Sequence, residues 1–265
     1  MILRRVNFCQ FAAITTAVLC LNVAVLMPLQ AVASESESRN LSTPAARAEK
    51  TYRQCRDRYL ANPADAQAAW HFARACFDWA EFSKNSQHRE KLALEGIEVS
   101  RKLISSEPQM AAARYYLAMN LGQLARTKTL GALKLVDEME REFKTVLKLD
   151  AEFDFAGPDR NLGLLYLEAP VFGSIGNRKK GLEHIRKAVD IAPVYPENRL
   201  ILIEALLKTG DKRAARDELV QLDKIWERAE RELPGEFWET SWKDWFERRK
   251  AIRSSLATKG STKDF

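Results

Sequence analysis

The chain has 265 residues, of which 46% are apolar and 29% charged, with only 11 glycines and a formal net charge of +6. That balance excludes a disordered polymer and a polytopic membrane protein. The charge excess is small and its signs are interspersed, unlike the basic face with aromatic platforms that a nucleic-acid binder needs. Ala, Leu, Glu, Lys and Arg dominate, and these side chains lose little freedom in a helix.

A basic start at Arg4 and Arg5, an apolar run from Phe8 to Met27 and a small-x-small end at Ala31 and Ala33 are the three parts of a secretory signal peptide. Residues 1–33 are expected to be cleaved and the protein to be periplasmic or secreted, without stable membrane insertion afterwards. The alternative is an uncleaved anchor, because the apolar run approaches bilayer-spanning length. Leu19 stands before Cys20 where lipid attachment calls for a small residue. Residues 34–44, rich in Ser and Glu, read as a flexible lead-in, and 259–265 as a disordered tail.

Residues 45–60 read as a lone helix. After it, a polar turn closes a helix four times, at Ala61-Asn62-Pro63, Ser106-Glu107-Pro108, Leu149-Asp150-Ala151 and Ile191-Ala192-Pro193; successive turns lie 45, 43 and 42 residues apart. Proline ends a helix because it lacks an N–H and disfavours helical geometry in the residue before it. Between the turns a large-small-x-x-large pattern recurs, as Phe72-Ala73…Cys76, Leu117-Ala118…Leu121, Leu162-Gly163…Tyr166 and Leu202-Ile203…Leu206. A small-large-small pattern follows in the second helix, clearest at Gly181…Ile185…Ala188 and looser at Ala215…Leu219…Leu222, Met139…Phe143…Val146 and Gly96…Ser100…Leu103. Gly210-Asp211 suits a left-handed helix end followed by an N-cap.

These patterns resemble the tetratricopeptide-repeat (TPR) superfamily. The resemblance implies an all-α, TPR-like solenoid of about four helical hairpins over residues 45–232. A C-terminal capping helix is expected over 233–258, with Trp238, Trp242 and Trp245 on one helical face. A standard repeat has about 34 residues, so the first three here carry roughly eight to eleven more, expected between paired helices at 83–89, 126–135 and 170–180. Insertions of this kind collect on one edge of a solenoid.

A second resemblance is narrower. The run Gly157-Pro158, Arg160, Leu162-Gly163-Leu-Leu-Tyr166, Ala169-Pro170 and the basic turn after Gly176 is similar to the periplasmic TPR-like T-component associated with tripartite ATP-independent periplasmic (TRAP) transporters. That resemblance implies an accessory protein meeting a solute-binding protein, with oligomer formation and a ligand passage along its concave side.

Motifs for chemistry are missing from the sequence. His71, His88 and His184 are scattered without paired ligand spacing, and Gly173-Ser-Ile-Gly176 is too short for a phosphate cradle. No catalytic role, metal or cofactor is expected, and the chain is read as no enzyme. Cys9 and Cys20 fall in the leader. Cys55 and Cys76 occupy facing slots on neighbouring helices, which leaves two readings open, a disulfide and a pair of buried free thiols.

In such a solenoid the first helix of each pair lines the concave face. The register places Trp70, Arg74 and Phe77 there from pair one, and Tyr115, Met119 and Gln123 from pair two. Arg160, Leu164 and Glu168 follow from pair three, and Glu204 from pair four. Aromatics with a few arginines make a recognition surface. The expected function is an exported scaffold that recognises another periplasmic protein; the alternative is a small-molecule or peptide ligand held in an enclosed concave pocket.

Overall fold

The computed structural model describes residues 43–257. The expected leader, nearly all of the lead-in and the tail lie outside them. The described residues form ten α-helices and no strand. They are α1 (Pro44–Ala61), α2 (Ala66–Ala80), α3 (Ser86–Ser106), α4 (Ala111–Ala125), α5 (Ala132–Leu149), α6 (Phe153–Glu168), α7 (Arg178–Ile191), α8 (Pro196–Lys208), α9 (Lys212–Glu232) and α10 (Glu239–Ala257), with a 3₁₀ turn at Glu236–Trp238.

Each helix packs on the next in sequence, and α2 also packs on α4. The result is four stacked hairpins, α2/α3, α4/α5, α6/α7 and α8/α9, preceded by α1 and covered at the far end by α10 on α8. This is the all-α solenoid that the repeat pattern implies.

Local chemistry sets the helix ends. The helices α1, α3, α5 and α7 stop at Ala61, Ser106, Leu149 and Ile191, the positions of the four polar turns. Side chains of Thr43, Asp65, Asn85, Asn177 and Asp211 accept backbone N–H bonds at the starts of α1, α2, α3, α7 and α9, satisfying donors that a helix N-terminus leaves open. Gly210 takes φ +84 between α8 and α9.

The small residues of the pattern let paired helices approach. Ala73 and Ala118 are wholly buried. Gly163 and Gly181 face each other between α6 and α7: a Cβ on Gly163 would sit 2.3 Å from Ile185 Cδ1, and one on Gly181 would sit 2.6 Å from Leu167 Cγ. Only glycine fits that crossing.

Two local expectations are corrected. The extra residues are only partly loop, because α3 already begins at Ser86, α5 at Ala132 and α7 at Arg178. Capping by Asn85 starts α3 early, and the remaining length extends second helices, to 21 residues in α3 and 18 in α5. The three tryptophans also do not share one helix. Pro234 and Gly235, the latter at φ +93, break the chain, so Trp238 lies in the 3₁₀ turn while Trp242 and Trp245 lie in α10. All three still enter the terminal core with Trp226, Leu222 and Ile252, covering the apolar end that a solenoid otherwise exposes.

Candidate functional site

The centre of the concave side is organised by an inverted turn. Asp154, Phe155 and Ala156, none of them glycine, take left-handed φ values of 52°, 56° and 60° at the start of α6. Left-handed geometry presses Cβ on the following carbonyl and costs roughly 1–2 kcal/mol per residue, so the turn needs external support.

Arg160 supplies much of that support. It is 3% exposed. One guanidinium nitrogen donates to the carbonyls of Asp154 and Phe155, both at 3.0 Å, and to Asn198 Oδ1 at 3.1 Å; the other donates to Asp154 Oδ2 at 2.6 Å. Asn198 Nδ2 donates to the Phe155 carbonyl at 3.0 Å. Tyr115 donates its hydroxyl to Asp154 Oδ2 at 2.5 Å and accepts from Asn161 at 2.9 Å. The Tyr115 hydroxyl lies where a Cβ on Gly157 would be, at 2.5 Å. Burial, then the charge of Asp154, raise the Tyr115 pKa well above its ordinary value against the pull of Arg160.

The inverted turn projects Phe155 inward, where it stacks on Tyr195 at 4.5 Å and meets Trp238 at 5.7 Å. Tyr195 continues the wall to Trp245 at 5.4 Å. Opposite, Arg74 pairs with Asp78 at 3.5 Å and lies over the Phe237 ring at 5.4 Å. Arg47 of α1 reaches Glu236 at 3.3 Å and Glu239 at 3.1 Å. The first helices and the terminal cap therefore touch across the concave side, and a basin lies between them.

Charge in the basin leans acidic. Glu197 accepts both from Arg248, at 2.8 and 2.9 Å, and from Trp245 Nε1 at 2.6 Å. Burial alone would raise its pKa, but Arg248 outweighs burial and holds the carboxyl below its ordinary value. Arg248 also donates to Glu204 at 2.8 Å and Asp244 at 3.1 Å. Asp78 goes the other way: burial and then the nearby charge of Asp154 raise it, against the pull of Arg74. Its side chain is nevertheless 43% exposed, so solvent reaches a carboxyl enclosed by protein.

The ten residues expected on the concave face divide in two. Phe77, Tyr115, Met119, Gln123 and Arg160 are buried; Arg160 and Tyr115 hold the inverted turn. Trp70, Arg74, Leu164 and Glu168 are half-buried and Glu204 is exposed. Trp70 stacks on His71 and Tyr116, Glu168 pairs with Lys208 at 2.8 Å, and Glu204 with Arg248. The register did not single out Asp78, Asp154, Phe155, Tyr195, Glu197, Phe237 or Arg248. Asp78 had a signal in its spacing four residues after Arg74. The others become neighbours only through superhelical curvature and the cap.

Phe77, Met119, Gln123 and Leu164 line a second, narrow cleft with Glu81, Arg126 and Asn161, whose cavity volume of about 20 Å³ suits a water or two. There Glu81 accepts from Gln123 and from Arg126, the latter at 2.8 Å. Burial lifts its carboxyl to about 7 in spite of Arg126.

Cys55 and Cys76 are free thiols in the structure, Cys55 half-buried and Cys76 buried. Burial raises both pKa values, which lowers thiolate reactivity. His184 binds Asp159 at 2.6 Å, His88 lies 3.2 Å from the Ser83 hydroxyl and His71 lies on Trp70. Among the described residues, no group of three His, Cys, Asp or Glu side chains is placed to hold a metal ion.

A family model described as "Regulator of microtubule dynamics protein 1-3" matches residues 36–148. No curated protein matches the chain. Among solved structures, TTC0263, a thermophilic TPR protein in Thermus thermophilus, superposes with a TM-score of 0.55 at 16% identity, covering 85% of this chain and 96% of that one. MamA and the MamA RS-1 ArsTM double mutant each give 0.48 at 15% identity, over 77% of this chain and 98% of theirs. The first likeness shows the fold: the chain folds as a TPR-like helical-hairpin solenoid.

Proposed function

We propose that the protein is an exported, non-catalytic scaffold that recognises a segment of another protein in the basin enclosed by its concave face. The observation that carries this reading is the pairing of an aromatic wall (Phe155, Tyr195, Phe237, Trp238) with solvent-reached carboxylates such as Asp78. Aromatic faces and carboxylates together attract cations. The partner segment is therefore one with a basic side chain flanked by apolar ones. Export rests on the leader, with its basic start, apolar run and small-residue end.

A narrower version makes the partner a solute-binding protein of an uptake system, and it rests on the resemblance of the run from Gly157 to the TRAP-associated component. The microtubule-regulator match adds no partner, because Asp154, Tyr195, Glu197 and Arg248 fall beyond residues 36–148. The contacts of Arg47 with Glu239 and of Arg74 with Phe237 favour a second reading, capture of a small ligand in the closed basin.

Site-specific photo-crosslinking from position 237 in cells separates the two. Protein adducts mapping to a basic-apolar segment, lost on Asp78→Asn, support the scaffold. A small molecule retained in native mass spectra, with no protein adduct, would sink it in favour of capture.

A further inference from the structure

Because successive helices alternate in direction, the turns that close the pairs, 81–85, 126–131, 169–177 and 209–211, all lie at one edge of the solenoid. Two of them project apolar side chains. Leu130 is 88% exposed, Val171 70% and Phe172 93%. Gly131 and Gly173 bend the tips at φ +81 and +74, and no atom outside the chain-adjacent residues comes within 4 Å of where their Cβ would be, so the tips stand clear of the body.

Exposed basic residues surround them: Lys128, Lys134, Arg178, Lys179 and Lys180. Lys128 pairs with Glu90 and Lys180 lies over the Tyr166 ring. The opposite edge, made by the turns between pairs, presents Glu107, Asp150, Glu152 and Asp190 instead. The solenoid is thus polarised from edge to edge, with its apolar tips on the basic side.

We infer that the pair-closing edge docks the protein on a bilayer of anionic phospholipid. The lysines and Arg178 meet headgroup phosphates, and Phe172, Val171 and Leu130 enter the interfacial layer, where apolar side chains on a basic surface are stabilised from both sides. The separation of the tips favours a bilayer over a protein. Isolated projections from two successive repeats enter a fluid acyl layer independently, whereas a protein partner needs a continuous complementary face.

The test is hydrogen exchange on the full chain with phosphatidylglycerol–phosphatidylcholine vesicles and with phosphatidylcholine vesicles alone. The expected result is severalfold slower exchange at 127–135 and 169–180 with the anionic vesicles only, reversed by high salt. Each basic residue near such a surface contributes about fivefold, so Arg178→Glu with Lys179→Glu weakens vesicle binding by roughly 25-fold or more, and Phe172→Ser reduces the protection. Because the readout is local, partition of the leader leaves these rates unchanged.

The inference is overturned by unchanged loop rates, by equal protection from phosphatidylcholine alone, or by protection that rises with protein concentration before vesicles are added, which would mark a second copy. Equal protection by poly-glutamate, indifferent to Phe172→Ser, would overturn it in favour of an acidic protein.

Discussion

Arg47 and Glu239 stand 192 positions apart in the chain and 3.1 Å apart in space. The contact joins the first described helix to the last, and the Arg74–Phe237 contact lies between the same two ends. Both contacts cross the basin mouth without entering the hydrophobic core.

Reversing charge with Glu236→Lys and Glu239→Lys is therefore expected to separate the ends while leaving stability within about 1 kcal/mol, since exposed ion pairs contribute little. Paired spin labels on α1 and α10 read the distance. An unchanged distance distribution would show that these pairs do not hold the mouth.

Arg160→Ala should behave in the opposite way. It removes every guanidinium bond to the inverted turn and leaves the Asp154 carboxylate without its cation, a change worth roughly 3–5 kcal/mol when a buried pair is broken. Urea denaturation measures it. A loss below about 1 kcal/mol would mean that the turn stands without Arg160.

Gly163→Ala offers a test by sign. Helix propensity alone predicts a gain of about 1 kcal/mol, but the added methyl meets Ile185 Cδ1 at 2.3 Å. Overpacking should win, with a net loss of roughly 1–3 kcal/mol that Ile185→Val partly recovers. A stabilised Gly163→Ala variant would contradict the close α6/α7 crossing.

Glu81 predicts a pH dependence. Its folded carboxyl titrates at about 7, above the ordinary 4.5, so between those values the unfolded chain has released a proton that the folded chain keeps. Stability attributable to this group falls as pH rises through that window, by an amount on the order of 3 kcal/mol, and is flat above it. Denaturation midpoints of wild type and Glu81→Gln, compared from pH 4.5 to 7.5, check this. The difference should shift against wild type as pH rises; a constant difference would exclude the raised carboxyl.

Helix boundaries and pair contacts were legible in the sequence because they depend on neighbours in the chain. Pro63, Pro108 and Pro193 stop helices, Asp211 starts one, and Gly163 marks a crossing by lacking a side chain; the cap at Asn85, inside a stretch expected between helices, was missed. The basin was legible only in part, through Arg74 and Glu204. Asp154, Phe155 and Ala156 show no glycine to announce a left-handed path, since that path is imposed by Arg160, Asn198 and Tyr115 from elsewhere. Glu197 and Arg248 meet only because the cap folds back on α8.

In a simple repeat array each hairpin answers only to its neighbours, and unfolding frays inward from the tips one unit at a time. The inverted turn breaks that rule. Its network draws Tyr115 from the second hairpin, Asp154 and Arg160 from the third and Asn198 from the fourth, so losing any one hairpin abandons a twist that the other two cannot sustain. Among the described residues, the second to fourth hairpins should melt as a single block, with α1, the first hairpin and α10 as looser margins.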